Sequence, residues 1–258
     1  MVSNKILRFV KVNKILPFNK SLIFLALSFF VLFQSSNVFP QNTFNESQIK
    51  DFEKIIENWI EKNPKKVKQV LDKLLAQEEI DHKNKTFEML SNHTMDPVMG
   101  NPEGDVILYE FFDYNCGYCK SVFNTVIKTL DKDKNTKLVL KELPILSQTS
   151  INASFFALAA KKQNLYSEFH TKVMQFRGRL TDEILLEIAN QVGLDIEKLK
   201  KDIQSDEIKL TIEKNKILAE RLNITGTPSF VIGNTIIPGA LNEEQLLKYI
   251  KKITNENS

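Results

Sequence analysis

The sequence predicts a mixed α/β domain with a helical insertion, preceded by a separate helical module. Strand patterns occur on both sides of a stretch, 149–222, that shows only helical patterns. Residues 44–92 show helical patterns and no strand pattern. A segment rich in Pro and Gly, 95–105, separates them from the first predicted strand. We therefore expect one α/β domain over 95–258 behind a helical module over 37–94.

The first 36 residues have the pattern of a secretory signal peptide. Residues 1–20 contain five basic residues and no acidic one, and the apolar run LIFLALSFFVLF follows over 22–33. A basic region before a short apolar run is typical of a signal peptide, and this run is shorter than the roughly 20 residues that a spanning helix needs. The pattern predicts cleavage near Ser36 and export to the periplasm. An uncleaved membrane anchor is the alternative.

The charge of the chain gives no reason to expect nucleic-acid binding. The 258-residue sequence carries 35 Lys and Arg against 32 Asp and Glu, a formal net charge of +3. Removal of residues 1–36 takes away five basic residues and no acidic one, which leaves 30 basic against 32 acidic residues and a formal charge of −2. The basic excess therefore belongs to the targeting segment, and we expect no nucleic-acid partner.

The helical module is predicted to contain two amphipathic helices. Apolar residues recur at helical spacings from Ile49 to Ile60 and again from Val67 to Leu75. Asn63-Pro64 separates them, because the residue before a proline resists helical geometry. Such helices must pack on something. They either pack on the body of the same chain or join copies of the chain through residues 44–92, which would make a homo-oligomer.

The domain over 95–258 is predicted to alternate strands and helices. Residues 95–105 are expected to form a linker and turns. Gly233-Asn234 is a favoured hairpin turn between two short strands, and Asn242 is a good cap for the last helix. The elements predicted from the patterns are a buried strand at 106–112, a helix at 116–130, a strand at 137–143, several helices in the insertion at 149–222, strands at 229–232 and 235–237, and a helix at 242–253.

The two cysteines of the chain, Cys116 and Cys119, stand three residues apart at the start of a predicted helix. This spacing brings both sulfurs within bonding reach. Cys116 would lie at the helix N-terminus, where unpaired N–H groups and the helix dipole favour a thiolate, and Cys119 would face inward one turn later. Disulfide exchange needs this combination of one exposed, acidic thiol that attacks and one sheltered thiol that resolves the mixed disulfide.

Three other uses of the cysteine pair are weaker. A structural disulfide across two intervening residues would constrain almost no chain, because the gain grows with loop length. A zinc site would need about four ligands, whereas the chain has no second CxxC, and His82, His93 and His170 are scattered. Inert buried cysteines would not need this spacing. We therefore expect a redox-active pair, with no metal and no other cofactor.

Three segments resemble the DsbA-like branch of the thioredoxin-fold oxidoreductases, which are exported protein-disulfide oxidoreductases. The segments are EFFDYNCGYCK at 110–120, GTPSF at 226–230 and IPGA at 237–240. The resemblance covers roughly residues 95–254 and implies a thioredoxin fold. It also implies that Cys116 is the nucleophile and Cys119 the resolving thiol.

Glu110, Thr227 and Pro228 complete the site that the resemblance implies. The family places an acid at the offset of Glu110, beneath the resolving cysteine, where a carboxyl with a raised pKa would exchange a proton. Its alternative is a solvent-facing position at a sheet edge. The Thr227–Pro228 bond is expected to be cis, in a loop that binds the client's extended backbone, and an ordinary turn proline is the alternative. Asp113 and Tyr114 are expected to shape the turn before the helix.

The dipeptide between the cysteines bears on the direction of the reaction. Strong oxidants of the family typically carry Pro-His there, whereas this chain has Gly117 and Tyr118, which donate no charge. Cys116 should therefore be less acidic than in those relatives, and the same dipeptide occurs in periplasmic isomerases and reductases.

The predicted function is the formation or rearrangement of disulfides in exported proteins. The expected partners are exported clients that contain cysteines and a membrane or thioredoxin-like redox partner. The sequence does not decide whether the protein acts as an oxidase or as an isomerase or reductase. A chaperone-like binding module and a copper-handling protein are further alternatives.

Overall fold

The computed structural model describes residues 44–256, so the predicted signal peptide at 1–36 lies outside the described residues. Within 44–256 the chain forms nine helices and five strands. Contacts divide the chain into two compact units with a boundary between Leu71 and Asp72. The sequence-based division at 94 and 95 stays a prediction. Among residues 44–256, no helix combines the length and the apolar character that crossing a bilayer requires.

Two helices open the described chain. Helix α1 spans Glu46–Lys62 and helix α2 spans Pro64–Ser91. Asn45 caps α1, because its side chain accepts the N–H of Gln48 at 2.9 Å while the Gln48 side chain accepts the N–H of Asn45 at 2.9 Å. Proline is tolerated at the first position of a helix, where its missing N–H would have no partner. The predicted break before Pro64 is therefore confirmed.

Five strands form one mixed sheet in the order β1–β3–β2–β4–β5. Strand β2 lies at the centre, parallel to β3 and antiparallel to β4, and the two edge strands β1 and β5 pair antiparallel with their neighbours. A strand with neighbours on both sides and cover on both faces has a near-continuous apolar sequence, as VILYEFF has. The strands are β1 at Val98–Gly100, β2 at Val106–Phe112, β3 at Thr136–Glu142, β4 at Ser229–Ile232 and β5 at Thr235–Pro238.

Seven further helices follow β2, and five of them form the predicted insertion between β3 and β4. Side chains of Ser147, Thr181 and Asp195 cap the starts of α4, α6 and α7. The helices are α3 at Gly117–Lys132, α4 at Gln148–Lys161, α5 at Tyr166–Gln175, α6 at Asp182–Gln191, α7 at Ile196–Asp202, α8 at Asp206–Arg221 and α9 at Glu243–Glu256. The mixed α/β class with a helical insertion is confirmed.

The linker predicted over 95–105 is wrong for the three residues of β1. Val98 pairs with Val139 of β3, and Gly100 pairs with Lys137. Gly100 has a φ of 76°, and a Cβ added there would lie 2.8 Å from the carbonyl oxygen of Thr136. This glycine therefore ends an edge strand at a close backbone approach. A strand of three residues is too short to show an alternating pattern in the sequence.

The alternation of side chains along β2 decides which groups face the helix that follows it. Leu108 and Phe112 join the large core that includes residues of α3. Tyr109 and Phe111 join a second core on the other face, together with Leu90 of α2. Because successive side chains of a strand point to opposite faces, Glu110 points to the same face as Leu108 and Phe112. The sheet thus directs this acid towards α3.

Candidate active site

The two cysteines lie where β2 leads into α3. Cys116 is the N-cap residue of α3, and its sulfur accepts the backbone N–H of Cys119 at 3.2 Å. Both residues are free thiols. Cys119 is fully buried, and Cys116 exposes only 5% of its surface. The predicted sheltered position of Cys119 is therefore observed, whereas Cys116 is less exposed than we predicted.

The loop around Pro228 is one reason for the low exposure of Cys116. The Thr227–Pro228 bond is cis, as expected. The Cys116 thiol donates to the carbonyl oxygen of Thr227 at 3.2 Å, so this loop lies directly against the sulfur. Gly239 holds the loop from the other side, because its N–H donates to the carbonyl oxygen of Pro228 at 2.8 Å. The cis bond and this contact favour the expected role of Pro228 over that of an ordinary turn proline.

The surroundings of the two sulfurs drive their acidities apart. The hydrogen bond with the Cys119 side chain is the main cause that lowers the pKa of Cys116 from 9.0 to about 6. Burial opposes this change, and hydrogen bonds from the side chain of Thr227 and from the backbone of Cys119 and Tyr118 reinforce it. Burial raises the pKa of Cys119 above its usual value, and the charge of Glu110 acts in the same direction. One thiol therefore ionises near neutral pH while the other keeps its proton.

Glu110 is buried on the central strand, on the face that carries α3. Its side chain is 3% exposed, and its Oε1 atom has no hydrogen-bond partner. Burial raises the pKa of Glu110 from 4.5 to about 8, and the charge of Cys116 adds to this effect. The alternative of a solvent-facing acid at a sheet edge is wrong, because β2 has strands on both sides.

Asp113 holds the turn before α3, as the sequence predicts. Its carboxylate is fully buried, and both of its oxygens accept hydrogen bonds. The donors are the N–H of Asn115 at 2.7 Å, the hydroxyl of Ser150 at 2.7 Å, and the N–H groups of Ile145 at 2.8 Å and Leu146 at 3.0 Å. The turn before α3 is thereby tied to the loop after β3.

Tyr114 lies in the same turn, but its side chain enters a buried polar cluster that the sequence did not reveal. Its hydroxyl lies 3.2 Å from Oε1 of Glu142 and 2.9 Å from Nδ1 of His170. Tyr166 and Ser154 also donate to the Glu142 carboxylate, at 2.8 and 2.7 Å. Burial raises the pKa of Glu142 to about 8 and lowers that of His170 to about 3. The available signal was a glutamate next to the end of the strand predicted at 137–143.

The fold and the dithiol define a class of protein, the protein-disulfide oxidoreductases of thioredoxin fold, which catalyse thiol–disulfide exchange. The family model "DSBA-like thioredoxin domain" matches residues 107–251, more than half of the chain. The chain therefore belongs to the DSBA-like thioredoxin domain family. This confirms the resemblance and the thioredoxin fold that it implied.

Individual relatives agree with this assignment. A Bacillus anthracis protein named "Probable disulfide bond formation protein D" is 30% identical over 173 residues, which cover 61% of this chain and 79% of the relative. The crystal structure of a thioredoxin-like oxidoreductase from Silicibacter pomeroyi is 40% identical, covers 65% of this chain and 97% of its own, and has a TM-score of 0.64.

A linker-deletion variant of ScsC from Proteus mirabilis is similar over a longer part of the chain. It is 25% identical with a TM-score of 0.63, and the likeness covers 84% of this chain and 100% of that chain. This share is larger than residues 72–258 alone could supply. The similarity therefore extends into residues before Asp72.

We expect the rate at which iodoacetamide alkylates the reduced protein to rise with pH, because only the thiolate reacts. The midpoint of this rise should lie near pH 6. Cys119→Ala should move this midpoint upward, since it removes the hydrogen bond that contributes most to the low pKa of Cys116. The matched control is Tyr118→Phe, which changes an exposed side chain and keeps the backbone N–H. A midpoint near pH 9 for the unchanged protein would contradict this account of the site.

Glu110→Gln should change how stability depends on pH. The pKa of Glu110 is raised from 4.5 to about 8 in the folded chain, so its contribution to stability is fully present below pH 4.5 and is lost as the pH rises through 8. Gln does not titrate. We therefore compare the free energy of unfolding of the variant with that of the unchanged reduced protein. The difference should shift in favour of the variant by roughly 2 to 5 kcal/mol as the pH rises from about 5 to 9.

Urea unfolding of the reduced proteins at a series of pH values measures this difference. Glu103→Gln is the matched control, because Glu103 is exposed and its replacement should leave the pH dependence unchanged. A stability difference between Glu110→Gln and the unchanged protein that stays constant across this pH range would show that the carboxyl is not desolvated.

Proposed function

We propose that this chain is an exported protein-disulfide oxidoreductase that forms or rearranges disulfide bonds in exported client proteins. The observation that carries the proposal is the Cys116 sulfur, whose pKa is lowered to about 6 and which lies 3.2 Å from the carbonyl oxygen of Thr227. Family membership supports the reaction class, and the signal-peptide pattern of residues 1–36 supports the periplasmic location. Only sulfur atoms and a carboxyl group take part, so the reaction needs no bound cofactor.

In the oxidising direction the chain begins with a disulfide between Cys116 and Cys119. A client thiolate attacks the Cys116 sulfur, the bond between the two cysteines breaks, and its electron pair leaves on Cys119. The Glu110 carboxyl gives the Cys119 thiolate a proton. A second client thiolate then attacks the client sulfur of the mixed disulfide and releases the Cys116 thiolate. Two client thiols have become one disulfide, and the pair is left reduced for a membrane or thioredoxin-like partner to reoxidise.

In the reducing or rearranging direction the same groups act in reverse. The Cys116 thiolate attacks a client disulfide and forms a mixed disulfide. Glu110 accepts the proton of Cys119, which then attacks the Cys116 sulfur and releases the client thiol. A buried carboxyl with a pKa of about 8 can serve both directions, because it gains and loses a proton near neutral pH. Thr227 and Pro228 would bind the client backbone beside the reacting sulfur.

The acidity of Cys116 supports a moderate oxidant. The attacking cysteine has a pKa of about 7 in thioredoxin and about 3.5 in the strongest oxidants of this fold, and the value of about 6 here lies between them. A measured reduction potential of the pair, taken together with refolding of a scrambled client, separates the two directions. A potential near the strong-oxidant end without unscrambling would contradict the isomerase alternative.

Cys119→Ala should trap the client. Without the resolving thiol, Cys116 can still form a mixed disulfide with an oxidised client but cannot release it, so this species should accumulate on non-reducing gels and in mass spectra. Cys116→Ala should form no mixed disulfide through the remaining cysteine, because Cys119 is fully buried.

The same variants test the other two classes of function. Client binding that survives unchanged in Cys116→Ala would favour the chaperone-like module over the oxidoreductase. Titration of the reduced protein with Cu(I) tests the copper-handling alternative, and lack of stoichiometric uptake would remove it.

The N-terminal helices support a further proposal, that residues 44–92 join copies of this chain. No residue of α1 is buried. Between residues 44 and 80, twelve large apolar side chains are 41–65% exposed: Phe44, Ile49, Phe52, Ile55, Ile56, Trp59, Ile60, Val70, Leu71, Leu74, Leu75 and Ile80. Identical amphipathic helices can bury such stripes against each other.

We expect the full chain without residues 1–36 to have the mass of an oligomer in light scattering at micromolar concentration. Ile56→Glu should lower the mass towards that of one chain, because it places a charge in the apolar stripe, and alkylation of Cys116 should be unaffected. Glu53→Gln on the same helix is the control and should keep the oligomer. A single-chain mass for the unchanged protein would contradict this proposal without affecting the oxidoreductase.

A further inference from the structure

Two positive side chains share one backbone carbonyl, and one of them follows the cysteine pair on α3. The ammonium group of Lys120 donates to the carbonyl oxygen of Phe176 at 3.0 Å, and Nη1 of Arg177 reaches the same oxygen at 3.4 Å. The two nitrogens are therefore no farther apart than the sum of these distances. Arg177 also donates to the carbonyl oxygen of Met174 at 2.8 Å, which fixes its guanidinium group in place. Like charges held this close repel each other.

One member of this pair of cations, Lys120, lies on α3 directly after the cysteines. Lys120 directly follows Cys119, and its backbone N–H donates to the carbonyl oxygen of Cys116 at 3.1 Å, so it lies one helical turn from the attacking residue. Arg177 is exposed in the loop between α5 and α6, which α3 contacts through Lys120. The same exposed loop carries a third cation, Arg179.

No carboxylate forms a direct ion pair with these cations within the described part of the chain. None of the ion pairs found over residues 44–256 includes Lys120, Arg177 or Arg179. The acid whose charge acts on Lys120 is Asp113, and backbone N–H groups and a serine already occupy both of its oxygens. Asp182, at the start of α6, accepts the side-chain amide of Asn152 with both oxygens.

The two side chains also retain donors for an incoming group. An ammonium group has three N–H donors, and Lys120 uses one of them on Phe176. A guanidinium group has five, in a planar arrangement that matches a carboxylate. Burial, together with the charge of Arg177, lowers the pKa of Lys120. A carboxylate placed between the two groups would relieve their repulsion and form charge-assisted hydrogen bonds.

We propose that Lys120 and Arg177 form a docking subsite for a carboxylate carried by the molecule that exchanges disulfides with Cys116. The inference rests on the proposed function and names the class of partner that the site prefers. The carboxylate would belong either to an acidic side chain near the cysteine of a protein partner or to a small acidic thiol such as glutathione. Charges at the rim of a site act chiefly on the rate of encounter, and salt weakens their effect.

The test compares three small disulfides that differ in charge, each mixed with the reduced protein in a stopped-flow instrument. Dithiobis(nitrobenzoate) carries carboxylates, dithiodipyridine is neutral and cystamine is positive. In each reaction the Cys116 thiolate attacks the reagent and releases one thiol, and Cys119 then releases the second and closes the protein disulfide. The double variant Lys120→Gln with Arg177→Gln should react about three- to tenfold more slowly with the anionic reagent. Its rate with the neutral reagent should be unchanged, and its rate with cystamine should rise.

Lys128→Gln is the matched control, because Lys128 is exposed on the same helix, farther from the cysteines. The charge-preserving pair Lys120→Arg with Arg177→Lys should restore most of the rate with the anionic reagent. Added salt should slow that reaction in the unchanged protein and have little effect in the double variant. Equal rates for the double variant and the unchanged protein with the anionic reagent would overturn the proposal, and so would equal slowing with all three reagents.

Two further arms separate the sources of the carboxylate. Oxidised glutathione represents the small acidic thiol, and a cystine peptide with glutamates beside the cysteine, compared with its lysine counterpart, represents a protein partner. Selective slowing of either anionic reagent in the double variant supports the subsite and identifies its source. Failure of the unchanged protein to react even with the neutral disulfide would instead contradict the proposed function.

Discussion

The sulfur of Cys116 caps α3, and the start of this helix depends on that contact. The contact also adds to the acidity of the thiol, whose largest cause is the hydrogen bond with the Cys119 side chain. The first N–H groups of a helix have no partner within it, and here the sulfur accepts one of them, from Cys119, at 3.2 Å. A negative sulfur accepts this bond more strongly and lies at the positive end of the helix dipole. The sulfur that caps the helix therefore belongs to the more acidic of the two thiols. One turn later the same helix buries Cys119, where a thiolate would be costly.

Two carboxyl groups three residues apart, Asp113 and Glu110, have different roles because different hydrogen-bond donors surround them. Asp113 has donors on both oxygens and ties the active-site turn to the loop after β3. Glu110 lies in the same core region, yet its Oε1 atom has no partner. A buried carboxyl group without such donors keeps its proton to a higher pH than one in water, as Glu110 does. The first therefore suits a fixed structural tie, and the second suits a group that passes protons to and from Cys119.

The acidity of the attacking sulfur and the charge that an incoming partner would meet have different origins. Hydrogen bonds from Cys119, Tyr118 and Thr227 lower the pKa of Cys116. The nearby cations Lys120 and Arg177 are instead held by the carbonyl oxygen of Phe176. The acidity therefore depends on short contacts with the sulfur itself, whereas the charge that a partner meets depends on side chains of α3 and of a loop in the helical insertion.

Local signals in the sequence determined the helix break before Pro64, the central strand at 106–112, the hairpin around Gly233 and the cysteine pair at a helix start. Each depends on a few neighbouring residues, so a short window of sequence contains it. Tertiary structure alone decided which distant segments cover these elements. The loop at Thr227, more than a hundred residues from Cys116, lies against the sulfur, and β1 exists only through its pairing with β3.

The strand at 136–142 shows most clearly what a local sequence pattern does not contain. Its last two residues, Lys141 and Glu142, are both buried on opposite faces of the sheet. Lys141 pairs with Asp96 at 2.5 Å, while Glu142 binds hydroxyl groups from three other segments. Periodicity records which side of a strand is apolar but not which partner will neutralise a charge there. Those partners come from distant parts of the chain, so only the assembled fold brings them together.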